Sequence, residues 1–98
     1  MSAYLIFENL SIQNEEAINE HREKVTPLVE KYGGKYLVIH GKTKHYEGEW
    51  KPKELIIMEF PSFEKADEFY NSDDYKDLKA LRMANSKSNG ILVDGIHW

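Results

Sequence analysis

The chain has 98 residues, with 13 Lys plus Arg against 17 Asp plus Glu, a net charge of −4 and no cysteine. This length suits one domain over residues 1–98 with a modest core, and the charge argues against a broad phosphate-binding surface and so against nucleic acid. Without cysteine there is no disulfide framework, thiolate nucleophile or Cys-ligated metal. No apolar run approaches the roughly 20 residues that span a bilayer. The opening MSAYLIFENL lacks the basic segment of a signal peptide, so a cytoplasmic protein is expected.

Tyr4 to Leu10 reads as a first strand. Tyr4 and Ile6 fall on one face and Leu5 and Phe7 on the other, so both faces need cover. Asn14 is a helix cap followed by Glu15 and Glu16, and Ile18, His21, Val25, Leu28, Val29 and Tyr32 recur at helical spacing until Gly33-Gly34 stops them. Pro27 lies inside this pattern and either kinks the helix or interrupts it. Tyr36 to His40 is a second strand. A bulge is expected at Gly41, with Thr43 to Glu47 continuing the strand and Gly48 to Lys53 turning.

Glu54 to Phe60 is a third strand, with Leu55, Ile57 and Glu59 on one face and Ile56, Met58 and Phe60 on the other. Ser62 caps a helix with Phe63, Ala66, Phe69 and Tyr70 inward. Ser72 caps the next, where Tyr75, Leu78 and Arg82 share a stripe. Asn85 to Asn89 reads as a polar loop, Ile91 to Val93 as a short last strand, and His97 falls in a tail expected to fray.

The order strand, helix, strand, strand, helix, strand is the α+β, ferredoxin-like βαββαβ arrangement, a four-stranded antiparallel sheet with its helices on one face. The expected strand order is fourth, first, third, second, which places the two doubly apolar strands at the centre. The other sheet face would remain wide and apolar, and packing it on a second copy about a two-fold axis would cover it. A homodimer with a barrel-like core is therefore expected.

Six segments carry a family resemblance: Tyr32 to Tyr36, Glu47 to Pro52, Glu59 to Phe63, Tyr70 to Tyr75, Arg82, and Val93 to Gly95. In this order they resemble the bacterial family catalogued as domain of unknown function thirteen-thirty, within the dimeric α/β-barrel superfamily of ferredoxin-like dimers. The resemblance covers nearly the whole chain and implies the dimeric barrel independently of the burial argument. The superfamily includes cofactor-independent monooxygenases, lactone isomerases, haem-degrading enzymes and non-catalytic ligand-binding domains, and fold does not select among them.

Arg82 is the leading site residue. Its position is one the family typically fills with arginine, and its guanidinium could grip a carboxylate in bidentate fashion. The competing reading pairs it with Glu59 or Glu8, or with the helix dipole. Glu59, if half-buried, would be a general base, and His40 an acid or base at a pocket mouth. Tyr75 and Tyr4 could turn hydroxyls toward a pocket rim. Trp50 is either a packing anchor or a lid. His21, on the apolar stripe of the first helix, reads as an interface histidine.

His40, His45 and Glu47 match no metal-ligand motif. There is no phosphate loop, nucleophile elbow or dinucleotide fingerprint either, so no cofactor is expected. Two functions are open. One is a cofactor-independent enzyme acting on a small organic acid or aromatic compound, with Arg82 as anchor and Glu59 or His40 moving a proton. The other is a non-catalytic small-molecule-binding or regulatory module.

Overall fold

A computed structural model describes residues 2–96. The elements are β1 (Ala3–Ile12), α1 (Glu15–Lys31), β2 (Lys35–Ile39), β3 (Leu55–Phe60), α2 (Phe63–Tyr70), α3 (Asp73–Asn85) and β4 (Ser86–Asp94). The strands form one sheet in the order β2-β3-β1-β4, every neighbour antiparallel. This is the order expected from sequence, read from the opposite edge, and the chain has the ferredoxin-like α+β fold.

Local chemistry sets each helix boundary. Asn14 Oδ1 accepts from the Ala17 N–H, Ser62 Oγ from Lys65 and Ser72 Oγ from Tyr75, so each helix opens on a side-chain cap. At the end of α1 the Gly34 N–H donates to the Val29 carbonyl and the Gly33 N–H to Glu30. This is a Schellman closure, and Gly33 takes the left-handed conformation it requires, at φ 83°. Pro27 does not interrupt α1. Directly before it, Thr26 Oγ1 donates to the Arg22 carbonyl at 2.7 Å.

Register sorts the side chains into two layers. Leu5 pairs with Met58 and Phe7 with Ile56 on the helix side, while Tyr4 pairs with Glu59 and Ile6 with Ile57 on the open side. The core is Leu5, Val25, Val29, Met58, Phe60, Ala66, Phe69 and Tyr75. Aromatic rings run through it in contact: Phe60 lies 5.4 Å from Phe69, Phe69 4.7 Å from Tyr75, and Tyr75 5.8 Å from Tyr70. Tyr70 in turn lies 6.3 Å from Phe7. On the open face Tyr4, Ile6, Leu55 and Ile57 are half-buried, and Ile91 and Val93 are 60% and 42% exposed.

Several expectations are corrected. The segment read as a polar loop is strand: β4 starts at Ser86, directly after α3, and pairs along β1 as far as Ile12. Its polar side chains conceal it, because ladder hydrogen bonds use the backbone and do not depend on side-chain type. The bulge of β2 lies between Tyr36 and Val38 rather than at Gly41. Thr43 to Glu47 is irregular and exposed, not strand. Phe63, expected inward, is 39% exposed because it stands at the first position of α2, outside the packed stripe. His97 lies outside the described residues.

Candidate functional site

Arg82 is placed by α3. It stands two turns after Tyr75 on the face turned toward the sheet, and it ends the stripe that Tyr75 begins. Its guanidinium lies over the Phe7 ring, 5.0 Å from the centroid. Nε donates to the Tyr75 hydroxyl at 3.4 Å and Nη1 to Ser88 Oγ at 2.8 Å. Ser88 reaches this spot only because residues 86–89 are strand, which sets Ser88 opposite Asn9.

Two spaces meet at Arg82. Outward lies a half-open cleft of about 240 Å³, walled by Leu5, Phe7, Tyr70 and Leu92 and rimmed by Asp67, Met83, Ser88 and Ile91. Gly90 forms part of its floor, where a Cβ would come within 2.5 Å of the Phe7 ring, so a side chain there would displace that wall. Inward lies a small cavity of about 40 Å³ among His21, Tyr36, Phe69 and Tyr75, with a neighbouring space of about 30 Å³ that reaches Arg22 and Ser86. Asn9 lines both inner spaces.

The inner groups form a directed chain. Arg82 can only donate, so the Tyr75 oxygen accepts from it and the Tyr75 O–H is free to donate to His21 Nε2, 3.2 Å away. That polarity needs a neutral imidazole. Burial pushes the His21 pKa down to about 4, and the positive charges of Arg82 and then Arg22 push it the same way. Burial also raises the Tyr36 hydroxyl to about 12 and shifts Tyr75 upward, so both stay protonated.

Of the six residues singled out from sequence, three lie in or beside this region, two lie together on the open face, and Trp50 belongs to neither group. Arg82 and Tyr75 are in contact. His40 stands at the edge of the same region, its Nε2 3.1 Å from Asn9 Nδ2, on a backbone held at φ 50° by a hydrogen bond from its N–H to the Leu55 carbonyl. Glu59 and Tyr4 are elsewhere, on the open face, where the Tyr4 hydroxyl donates to Glu59 at 3.3 Å and Lys35 lies 3.4 Å from the carboxylate.

A hydrogen bond from Ser2, with smaller help from Lys35 and Tyr4, holds the Glu59 carboxyl below its usual range. A proton acceptor needs the opposite shift. Trp50 is 64% exposed and donates to Glu8 at 3.2 Å. The expected pairing of Arg82 with Glu59 or Glu8 is not made. Glu8 is taken by Trp50 and Asn89, and Glu59 is on the far side of the sheet. Among the described residues Arg82 has no carboxylate within salt-bridge distance.

Sequence reasoning passed over His21, Ser88, Phe7 and Tyr70 as site residues. His21 carried a signal: it occupies the apolar stripe of α1, where a histidine must find a polar partner. Among the described residues there is no cluster of three or more His, Asp or Glu side chains able to hold a metal ion, and no helix long and apolar enough to cross a membrane.

The fold and this arrangement define a small ferredoxin-like protein with a cleft between sheet and helices. The chain belongs to the family described as Domain of unknown function (DUF1330), whose model matches residues 2–96. No curated protein matches it. Among solved structures it is similar to RPA0582, a protein of unknown function from Rhodopseudomonas palustris, with TM-score 0.71 at 16% identity over 98% of this chain and 83% of the other.

It is also similar to a dimeric ferredoxin-like protein of unknown function from Jannaschia sp., with TM-score 0.68 at 11% identity over 97% and 100% of the two chains. A third likeness is to SnoaB, a cofactor-independent oxygenase from Streptomyces nogalater, with TM-score 0.61 at 7% identity over 99% and 93%. At these identities the likenesses establish the fold.

Proposed function

We propose that this is a cytoplasmic homodimeric α/β-barrel protein that binds a small organic acid in the cleft at Arg82 and acts on it without a cofactor. The observation that carries the reading is the Arg82 guanidinium, set in a half-open cleft of mixed polar and apolar lining with no carboxylate of the described residues within salt-bridge distance. A cation in such surroundings gains most from an anionic ligand that replaces lost water. Arg82 is the anchor, and the Tyr75 hydroxyl with the neutral His21 behind it is the route by which a proton would leave. Glu59 is not assigned that task, since its carboxylate is stabilised in the charged form.

Arg82→Ala is expected to weaken binding of the acid by tenfold or more while moving Tm by only a few degrees. Thermal-shift and calorimetric titration on both proteins measure this. A large fall in Tm with unchanged affinity would make Arg82 a structural residue.

A second reading, a non-catalytic binding or regulatory module, draws on one observation. Tyr75 and His21 face the inner cavity, behind Arg82, and not the cleft itself. Recovery of the bound acid unchanged after prolonged incubation favours the module, and appearance of a product favours the enzyme.

The dimer is supported by the open sheet face, with exposed Ile91 and Val93 beside Tyr4, Ile6, Leu55 and Ile57, and by the similarity to a ferredoxin-like protein described as dimeric. Light scattering at micromolar concentration is expected to return twice the chain mass. A value near 11.5 kDa would overturn the dimer.

A further inference from the structure

We propose that the Arg82 cleft recognises a monocarboxylate carried on a single aromatic ring, a ligand of the size of benzoate. This rests on the reading of the cleft as an organic-acid site. The size follows from volume. An apolar cavity of about 150 Å³ is enough for benzene, and sites for drug-sized ligands run from roughly 300 Å³ upward. The cleft, at about 240 Å³, lies between them and matches one ring with one acidic group.

The acid end is set by two neighbouring groups. Arg82 Nη2 and one N–H of Nη1 have no partner among the described residues. Ser88 accepts from Arg82, which leaves its own O–H to donate. A carboxylate beside them receives a bidentate grip plus a hydroxyl hydrogen bond. A second acid group is disfavoured: among the described residues Arg82 is the one cation on the lining, and Asp67 puts a negative charge on the rim.

The ring end is set by Phe7 and Tyr70, whose planes lie 25° apart with centroids 6.3 Å apart along the cleft wall. Phe7 lies beneath the Arg82 guanidinium and Tyr70 beneath Lys79 Nζ at 4.3 Å. Cations over these rings make their electrostatics specific, and an aromatic ligand can meet them by edge or offset stacking, which a saturated ring cannot do.

The test is calorimetric titration of the intact protein with benzoate, cyclohexanecarboxylate, hexanoate and benzamide. Benzoate is expected to bind at least threefold more tightly than cyclohexanecarboxylate, although burial of apolar surface alone would favour the bulkier saturated ring. It should also bind at least tenfold more tightly than benzamide. Arg82→Gln should remove most of the preference for benzoate over benzamide, since the positive charge that distinguishes the carboxylate from the amide is lost.

Equal or tighter binding of cyclohexanecarboxylate or hexanoate overturns the aromatic class and leaves the organic-acid reading standing. Binding of none of the acids, or acid binding that Arg82→Ala does not weaken, overturns both. The decisive comparison uses the unmutated protein, so it does not depend on any variant folding.

Discussion

Phe69→Ala is expected to destabilise the fold by about 3–5 kcal/mol, out of the roughly 5–15 kcal/mol a domain of this kind holds, with Tm falling by on the order of 20 °C. Phe69 is 1% exposed and stacks on Phe60 from β3 at one side and Tyr75 from α3 at the other, with Tyr32 at the end of α1 edge-on at 5.9 Å. It is thus the ring at which three helices and the sheet meet. Truncation leaves a void that cannot close without moving elements tied by separate hydrogen bonds: Ser72 Oγ donates to the Phe69 carbonyl, and Tyr32 donates to Asp74. Tyr75 would lose the surface it stacks on, so the link to Arg82 should loosen as well. Urea unfolding followed by circular dichroism measures the loss. Phe69→Leu, expected to cost less because it keeps more of the side-chain volume, serves if the alanine variant does not accumulate. A loss under about 1 kcal/mol for Phe69→Ala would show that the core is held elsewhere.

The second large effect is a loss of stability in mild acid. His21 titrates at about 4 in the folded protein and near 6.5 when unfolded, so between these values the unfolded chain binds more protons than the folded one. Stability from this group is therefore complete above pH 6.5 and drains away as pH falls toward 4. The ring is half-buried, so solvent screens part of the effect, and a loss on the order of 2 kcal/mol is expected across this window. Every contribution has the same direction: a protonated ring would be desolvated, would face the like charges of Arg82 and Arg22, and would lose the hydrogen bond it accepts from Tyr75. Carboxylates whose folded pKa is depressed, Glu59 and Asp74, act at lower pH and blur only the acid end. Urea midpoints from about pH 7.5 to 4.5 should fall steadily for the native sequence and stay nearly flat for His21→Gln. Equal slopes in the two proteins would show that His21 binds protons alike in the folded and unfolded chain, and so that the fold does not hold its imidazole neutral.

Much of the architecture is legible without coordinates, for reasons that can be named. Asn14, Ser62 and Ser72 cap helices through hydrogen bonds that span three residues, so the information is local. Gly33-Gly34 ends α1 by a closure confined to one short stretch of chain. The double apolar faces of β1 and β3 place them at the sheet centre because central strands lose solvent on both edges. What misled is equally physical. Ser86 to Asn89 looks like loop because its side chains are polar, yet β1 supplies a ladder there that side chains do not report. Thr43 to Glu47 has strand-like composition but finds no neighbour to pair with among the described residues.

The candidate site divides along the same line. Arg82 and Tyr75 share a helical stripe, a relation fixed by periodicity, and they touch. Glu59 is close to Arg82 in no sense that periodicity could reveal, because alternation along β3 sends it to the open face while α3 packs on the other. By itself the sequence determined the order of elements, the helix ends, the central strands and the cation on the inner stripe, since each depends on contacts a few residues long or on a simple repeat. Only the tertiary structure decided which groups answer that cation. Ser88 arrives from β4, Phe7 from β1 and Tyr70 from α2, and His21 reaches Tyr75 from α1. Those juxtapositions depend on the register of strands far apart in the chain, and a shift of one residue would turn Phe7 and Ser88 away from Arg82.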